Sequence, residues 1–121
     1  MRMGENTRAI GNIAENMAVE YLKNEGYDIV RRNFEWIVED KIVGEIDIIA
    51  QKGDVVAIVE VKASTHPSDF NPSERVDKAK QNKIKKTAIV FSWEFGENWN
   101  YRFDIIEIVG EEIYHIEEAF I

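Results

Sequence analysis

Four charged residues lie in two apolar segments that are separated by a short polar turn. The first segment carries Glu45 and Asp47, and the second carries Glu60 and Lys62. Because side chains alternate between the two faces of a β-sheet, each pair is predicted to share one face. Charge placed beside hydrocarbon is costly unless it is paired or bound to a metal ion. The four residues are therefore the first candidates for a functional site.

The turn between the segments predicts how the two strands meet. If Gly53-Asp54 forms a two-residue type II′ turn, Lys52 lies opposite Val55. In that register Asp47 faces Glu60, and two opposed carboxylates repel each other. A divalent cation would remove the repulsion, and Mg²⁺ suits a site of hard oxygen ligands.

Two alternatives remain open on spacing alone. A turn one residue earlier would place Glu45 opposite Glu60, although acids of both strands would still share one face. A purely structural arrangement would pair Glu45 with Lys62 and leave Asp47 and Glu60 protonated or solvated.

The surrounding pattern predicts an α/β fold with a mixed central sheet and the element order αβββαββ. Helical spacing of apolar residues and runs of β-branched residues define the elements. They are a helix over Arg8–Gly26, strands over Tyr27–Val38, Ile42–Gln51 and Val55–Ala63, a helix from Asn71 to about Phe91, and strands over Tyr101–Val109 and Glu112–Ile116.

The composition of the chain limits which kinds of active site and metal site it can form. The 121 residues are expected to form a single domain over residues 1–121. With no Cys and two His, thiol nucleophiles and cysteine zinc sites are excluded, and a metal ion would need oxygen ligands. The net charge is −8, yet residues 73–86 hold six basic and two acidic residues. No apolar run predicts a signal peptide or membrane span, so a cytoplasmic protein without membrane contact is expected.

Several motifs occur together in an order that resembles the bacterial YraN-like family. They are a helix of the form G-x-x-x-E-x-x-A-x-x-Y-L over Gly11–Leu22, RRN at Arg31–Asn33, GEID at Gly44–Asp47 and VEVK at Val59–Lys62. The family is described as one of proposed endonucleases, related to archaeal Holliday junction resolvases within the PD-(D/E)XK nuclease superfamily. The resemblance covers nearly the whole chain and implies a restriction-endonuclease-like αβββαβ core flanked by helices.

The resemblance also implies roles for individual residues. Asp47 and Glu60 match the metal-binding carboxylates, the backbone carbonyl of Val61 matches a further ligand, and Lys62 matches the catalytic lysine. Glu15 matches the acid of the first helix that completes metal and catalytic sites in resolvase-like members. The implied cofactor is Mg²⁺ or Mn²⁺. Glu45 is a secondary candidate beside this set.

Basic residues near the site are candidates for contacts with nucleic acid, with DNA preferred over RNA. Lys80 and Lys83 lie on or beside the inner stripe of the second helix, where they could reach phosphate or equally extend to solvent. Arg31 and Arg32 could line the substrate groove or be solvated at a strand edge. Relatives commonly carry a basic residue where this chain has Ser64. Resolvase-like relatives act as dimers, so a homodimer is one assembly that the resemblance implies.

Two functions follow from these observations. The first is a metal-dependent endonuclease that hydrolyses phosphodiester bonds, with branched DNA as a candidate substrate. The second is a non-catalytic module that keeps the nuclease fold and binds nucleic acid or protein. The complete set of Asp47, Glu60 and Lys62 favours the first, and the net charge of −8 favours the second.

Overall fold

The computed structural model describes residues 3–64 and 76–121, with side chains described from residue 11 onward. The predicted element order is confirmed, and most boundaries differ by only a few residues. The elements are α1 (Met3–Asn24), β1 (Asp28–Val38), β2 (Lys41–Lys52), β3 (Val55–Ser64), α2 (Lys78–Phe95), β4 (Asn100–Val109) and β5 (Glu112–Phe120).

The five strands form one mixed sheet in the order β1-β2-β3-β4-β5. The pair β3 and β4 is parallel and is connected through α2, whereas the other neighbouring strands are antiparallel. Neighbouring residues such as Ile105 and Ile106 pack into different apolar clusters, one against α2 and one against α1. The helices therefore cover opposite faces of the sheet, an α/β fold consistent with a restriction-endonuclease-like core.

Helix α1 buries the apolar stripe that its sequence predicts. Ala14, Ala18 and Leu22 pack on the sheet at helical spacing. After the helix, Gly26 has φ 91°, and its N–H donates to the Lys23 carbonyl while the next N–H reaches back to the Leu22 carbonyl. This hydrogen-bond pattern ends the helix at the glycine, as the sequence predicts. In the described residues, neither helix is long and apolar enough to span a membrane.

Helix α2 is preceded by an acidic cap. Its N-cap is Asp77, whose carboxylate accepts a hydrogen bond from the Lys80 backbone N–H at 2.8 Å. The predicted start at Asn71 lies outside the described residues, and the helix that the structure describes begins at Lys78. An acidic cap directly before the first helical residue satisfies a free backbone N–H of the first turn. The helix also continues to Phe95 because this ring stacks on Phe91.

Strand β5 extends past its predicted end at Ile116. The fully buried Asp104 carboxylate of β4 accepts a hydrogen bond from the Glu118 backbone N–H at 3.1 Å. It also binds Arg102 through two hydrogen bonds of 2.8 Å and His115 at 2.7 Å. Although burial raises the pKa of Asp104, the hydrogen bonds from His115 and Arg102 lower it below its usual value. The network stabilises an irregular strand end that alternation alone does not predict.

The glycine of the GEID motif lies where α2 approaches β2 most closely. A Cβ atom built on Gly44 would overlap Thr87 Oγ1 and lie 3.3 Å from the Trp36 ring. Thr87 is fully buried and donates a hydrogen bond to the Lys83 carbonyl at 2.7 Å. Gly44 therefore sets the distance between the helix that carries the lysines and the strand that carries Asp47.

Gly44→Ala is expected to lower the free energy of unfolding by about 1–3 kcal/mol, the usual cost of overpacking a core. Adding Thr87→Ala removes the overlapping hydroxyl and should recover a substantial part of that loss. Urea unfolding of both single variants and the double variant measures the coupling. Strict additivity of the two substitutions would contradict the packing described here.

Candidate functional site

Strands β2 and β3 separate at the residues that carry the charges. Their pairing runs from Lys52 opposite Val55 to Ile48 opposite Val59 and then stops. This register is the one predicted from Gly53, which has φ 61°. Beyond the last pair, β2 continues against β1 alone and β3 against β4. The two strands thus form a fork.

The predicted alternation of faces fails at this fork. Ile46 packs in the cluster against α2, whereas Ile48 packs in the cluster against α1. Opposite this step, Asn33 of β1 has φ 53°, a conformation that Asn tolerates better than most residues. The strict alternation that put Ile46 and Ile48 on one face is therefore wrong. The predicted position of Asp47 opposite Glu60 is also not formed, because the pairing of β2 with β3 ends one residue earlier.

Asp47 directs its carboxylate into the fork. Its Oδ2 accepts a hydrogen bond of 2.8 Å from the Val61 backbone N–H of β3. The side chain thus takes the place of a backbone carbonyl that would continue the sheet. Burial, the nearby charge of Glu60 and, less strongly, that of Glu15 raise the pKa of Asp47 to about 7.

Glu60 lies on the other side of the fork and contacts α2. Its Oε1 is 2.7 Å from Lys80 Nζ, and its side chain is only 10% exposed. Lys62 follows on the same strand and interacts with Lys80, Glu60 and Asp47. Burial and the neighbouring Lys80 charge lower the pKa of Lys62. The structure thus brings Asp47, Glu60 and Lys62 together.

Glu15 approaches the same region from α1. It is buried, and its Oε1 accepts hydrogen bonds of 3.0 Å from both Arg32 Nε and Asn33 Nδ2. Arg32 also donates to Asn16 at 2.7 Å. The sequence left Arg32 either in a substrate groove or solvated at a strand edge, and in the structure its guanidinium contacts the acid of α1. Glu15 and Asp47 line one cavity of about 310 Å³.

The other basic candidates lie at different distances from the fork. Arg31 forms an exposed ion pair with Glu94 at 2.7 Å, away from the acids. Lys83 is exposed and lines a second cavity, of about 350 Å³, together with Lys80 and Glu45. This cavity lies between β2 and the first turns of α2. Two predicted lysines therefore border the site, and Arg31 does not.

Glu45 and Ser64 lie at the ends of the fork. The sheet pairs Glu45 with Glu35 of β1, and the expected position opposite Lys62 is not formed because β2 and β3 have separated. Ser64 Oγ donates a hydrogen bond to Glu107 at 3.1 Å. The position of Glu45 follows from its pairing with β1, without the ion pair to Lys62 that the sequence left open. The position of Ser64 follows from its hydrogen bond to Glu107, without a contact to phosphate.

The donors around the fork fit a hard divalent ion. The carboxylates of Asp47 and Glu60, which interact electrostatically, and the backbone of Val61 lie at the fork, and all of them offer oxygen. Repulsion between the carboxylates contributes to the raised pKa of Asp47, and a bound cation would relieve it. In the described parts of the chain, no three acidic or histidine side chains are already gathered for a metal ion. Glu60 and Glu15 instead contact Lys80 and Arg32.

Comparison with known proteins identifies relatives across most of the chain. Residues 14–108 match the model of the family described as Uncharacterised protein family UPF0102. A UPF0102 protein of Fervidobacterium nodosum is 44% identical over 110 residues, covering 88% of this chain and 78% of the relative. A UPF0102 protein of Alkaliphilus oremlandii is 41% identical over 120 residues, covering 93% and 98%. One of Thermodesulfovibrio yellowstonii is 37% identical over 111 residues, covering 92% and 95%.

The fold and the fork define an α/β protein with a mixed five-stranded sheet and a charged cluster between two of its strands. The chain belongs to the UPF0102 family, the YraN-like proteins whose motifs its sequence carries. The motif residues Glu15, Asp47, Glu60 and Lys62 all lie within the matched range.

Proposed function

We propose that this protein is a divalent-metal-dependent endonuclease that hydrolyses phosphodiester bonds in nucleic acid, with branched DNA as one candidate substrate. The supporting observation is the meeting of Asp47, Glu60 and Lys62 at the fork between β2 and β3. Two carboxylates with an adjacent lysine suit hydrolysis of a phosphodiester, because the transition state gains negative charge.

The proposed ligands are Asp47, Glu60 and the Val61 carbonyl, with Glu15 completing the set. A bound Mg²⁺ or Mn²⁺ ion supplies Lewis acidity and lowers the pKa of a coordinated water. Arg32 and Asn33 orient the Glu15 carboxylate.

Lys62 is proposed to contact the scissile phosphate. Its partly buried ammonium lies beside the acids, where it can stabilise developing charge or orient the attacking water. Lys83 lines the adjacent cavity and provides a contact with the flanking phosphates. No nucleophilic side chain is required, in agreement with a chain that has no Cys.

The proposal predicts cleavage that depends on both a divalent ion and Glu60. Purified protein is expected to cut at least one substrate of a panel of branched, flapped and single-stranded DNA and RNA with Mg²⁺ or Mn²⁺. Chelation should stop the reaction, and Glu60→Gln should slow it at least 100-fold, in the range found for single electrostatic groups. Glu111→Gln, which removes an exposed acid from the turn between β4 and β5, is the matched control and should cut normally.

Two results would contradict the endonuclease. Tight binding without cleavage of any substrate would favour the non-catalytic module with a nuclease fold. Cleavage that survives undiminished in Glu60→Gln would assign the activity to a different site or a contaminant.

A further inference from the structure

The buried acid Glu60 is in contact with a cation of the protein itself. Lys80 Nζ is 2.7 Å from Glu60 Oε1, the carboxylate that the proposed function assigns to a metal ion. The exposed fraction is 10% for the Glu60 side chain and 44% for that of Lys80. The acid is thus held in place by its strand, whereas the lysine has open solvent beside it.

We propose that Lys80 acts as an internal counter-cation, which holds Glu60 in the metal-free protein and leaves it when a divalent ion binds. This inference rests on the proposed function, because it assigns the ion to Glu60. The ion and the ammonium compete for the same carboxylate and repel each other at short range. Binding of one therefore disfavours the position of the other.

The neighbours of Lys80 strengthen this competition. Its side chain also contacts Lys62, which lies two residues after Glu60 on β3. The negative charges of Glu60 and Asp47 attract the Lys80 ammonium to this position. A divalent ion at the acids would offset that attraction and add its own repulsion of the ammonium.

The structure also offers a place for the released side chain. Lys80 lines the cavity of about 350 Å³ between β2 and α2, and Glu45 lines the same cavity. Glu45 is exposed and has its β1 neighbour Glu35 as a second negative charge. The lysine side chain, with its rotatable bonds, could therefore turn from Glu60 toward Glu45 within this cavity. The lysine would then border the space where flanking phosphates are proposed to bind.

Chemical labelling of the wild-type protein tests the release directly. Acetylation of lysine amines is measured by mass spectrometry at limiting reagent, with and without Mg²⁺. Release from Glu60 should raise the labelling rate of Lys80 several-fold. Lys52 is the internal control, because its Nζ donates to the Glu25 carbonyl at 2.6 Å and should not respond to the ion. In Asp47→Asn, which lacks one proposed ligand, the Mg²⁺ effect on Lys80 should be lost.

Metal affinity provides an independent readout. In calorimetric titration with Mn²⁺, Lys80→Met should bind about tenfold more tightly than the wild type, because no charge-assisted hydrogen bond must be broken. Lys83→Met removes the same charge from the same cavity without a contact to Glu60, and it should change the affinity much less. The metal-free Lys80→Met protein should melt at a lower temperature, because Glu60 loses its partner.

The outcomes separate this inference from the proposed function. If the wild type binds Mn²⁺ but Lys80→Met binds equally or more weakly, Lys80 is not a competitor and the inference fails while the metal site stands. An unchanged labelling rate of Lys80 in protein saturated with Mg²⁺ would likewise overturn the release of Lys80 and leave the metal site intact. If the wild type binds neither ion, the proposed metal site itself is wrong.

Discussion

Replacing Lys62 by Met is expected to slow cleavage by about 100- to 1000-fold, the range found for one positioned electrostatic group. Lys62 lies beside Asp47 and Glu60, so in the proposed reaction its charge would act where the phosphate gains negative charge in the transition state. The charge of Lys62 stabilises the unreacted substrate less than it stabilises the transition state. The loss should therefore fall on kcat, with KM and the affinity for uncleaved nucleic acid nearly unchanged.

Two other lysine variants serve as comparisons for Lys62→Met. Lys23→Met removes an exposed charge at the end of α1 and should cut like the wild type. Lys83→Met should raise KM and flatten the salt dependence of binding, since it removes a proposed phosphate contact. A Lys62→Met protein that loses binding and cleavage in equal measure would make Lys62 a binding residue rather than a catalytic one.

Asp47→Asn is expected to stabilise the metal-free protein at pH 8. Burial and the charges of Glu60 and Glu15 raise the pKa of Asp47 from 3.8 to about 7. The folded state therefore holds more protons than the unfolded state between about pH 4 and 7, and stability falls as the pH rises through that range. The full shift corresponds to roughly 4 kcal/mol as an upper bound, and relaxation around the charge should reduce the gain to about 1–3 kcal/mol.

The same variant should respond differently to metal. At pH 8, Mg²⁺ at about 100 times its dissociation constant should stabilise the wild type by about 2.7 kcal/mol. Asp47→Asn should lose most of this gain, because an amide is a poorer ligand than a carboxylate. Chemical denaturation at pH 5 and pH 8, with and without Mg²⁺, measures both effects. Equal Mg²⁺ stabilisation of the two proteins would remove Asp47 from the ligand set, and a metal-free variant less stable than the wild type at pH 8 would contradict its raised pKa.

Local sequence signals predicted the hairpin that supports the site. The register of β2 and β3 follows from Gly53 at the first turn position, because backbone preference there depends on that residue. The apolar stripe of α1 and its stop at Gly26 are equally local. These features need no knowledge of distant parts of the chain.

The fork itself could not be predicted in this way. Alternation predicts that the side chains of Ile46 and Ile48 share a face of the sheet. In the structure they lie on opposite faces, and Asn33, whose backbone has a positive φ, lies across from this point on β1. The partner of Glu60 also depends on where α2 lies, so Lys80 could be placed on an inner stripe without its contact being known. Tertiary packing decides both points.

The sheet divides into short-range and long-range pairings, which matters for how the chain folds. Pairs between β2 and β3 are separated by 3 residues at Lys52 and Val55 and by 11 at Ile48 and Val59. In the parallel pair of β3 and β4, all partners are 45 residues apart, as Val55 and Asn100 are. Loop-closure entropy therefore opposes the parallel pairing more than the hairpin, by about 1–2 kcal/mol. Asp47 and Glu60 can thus be brought together by the hairpin before α2 docks, and the carboxylate pair gains its contact with Lys80 only when the helix arrives.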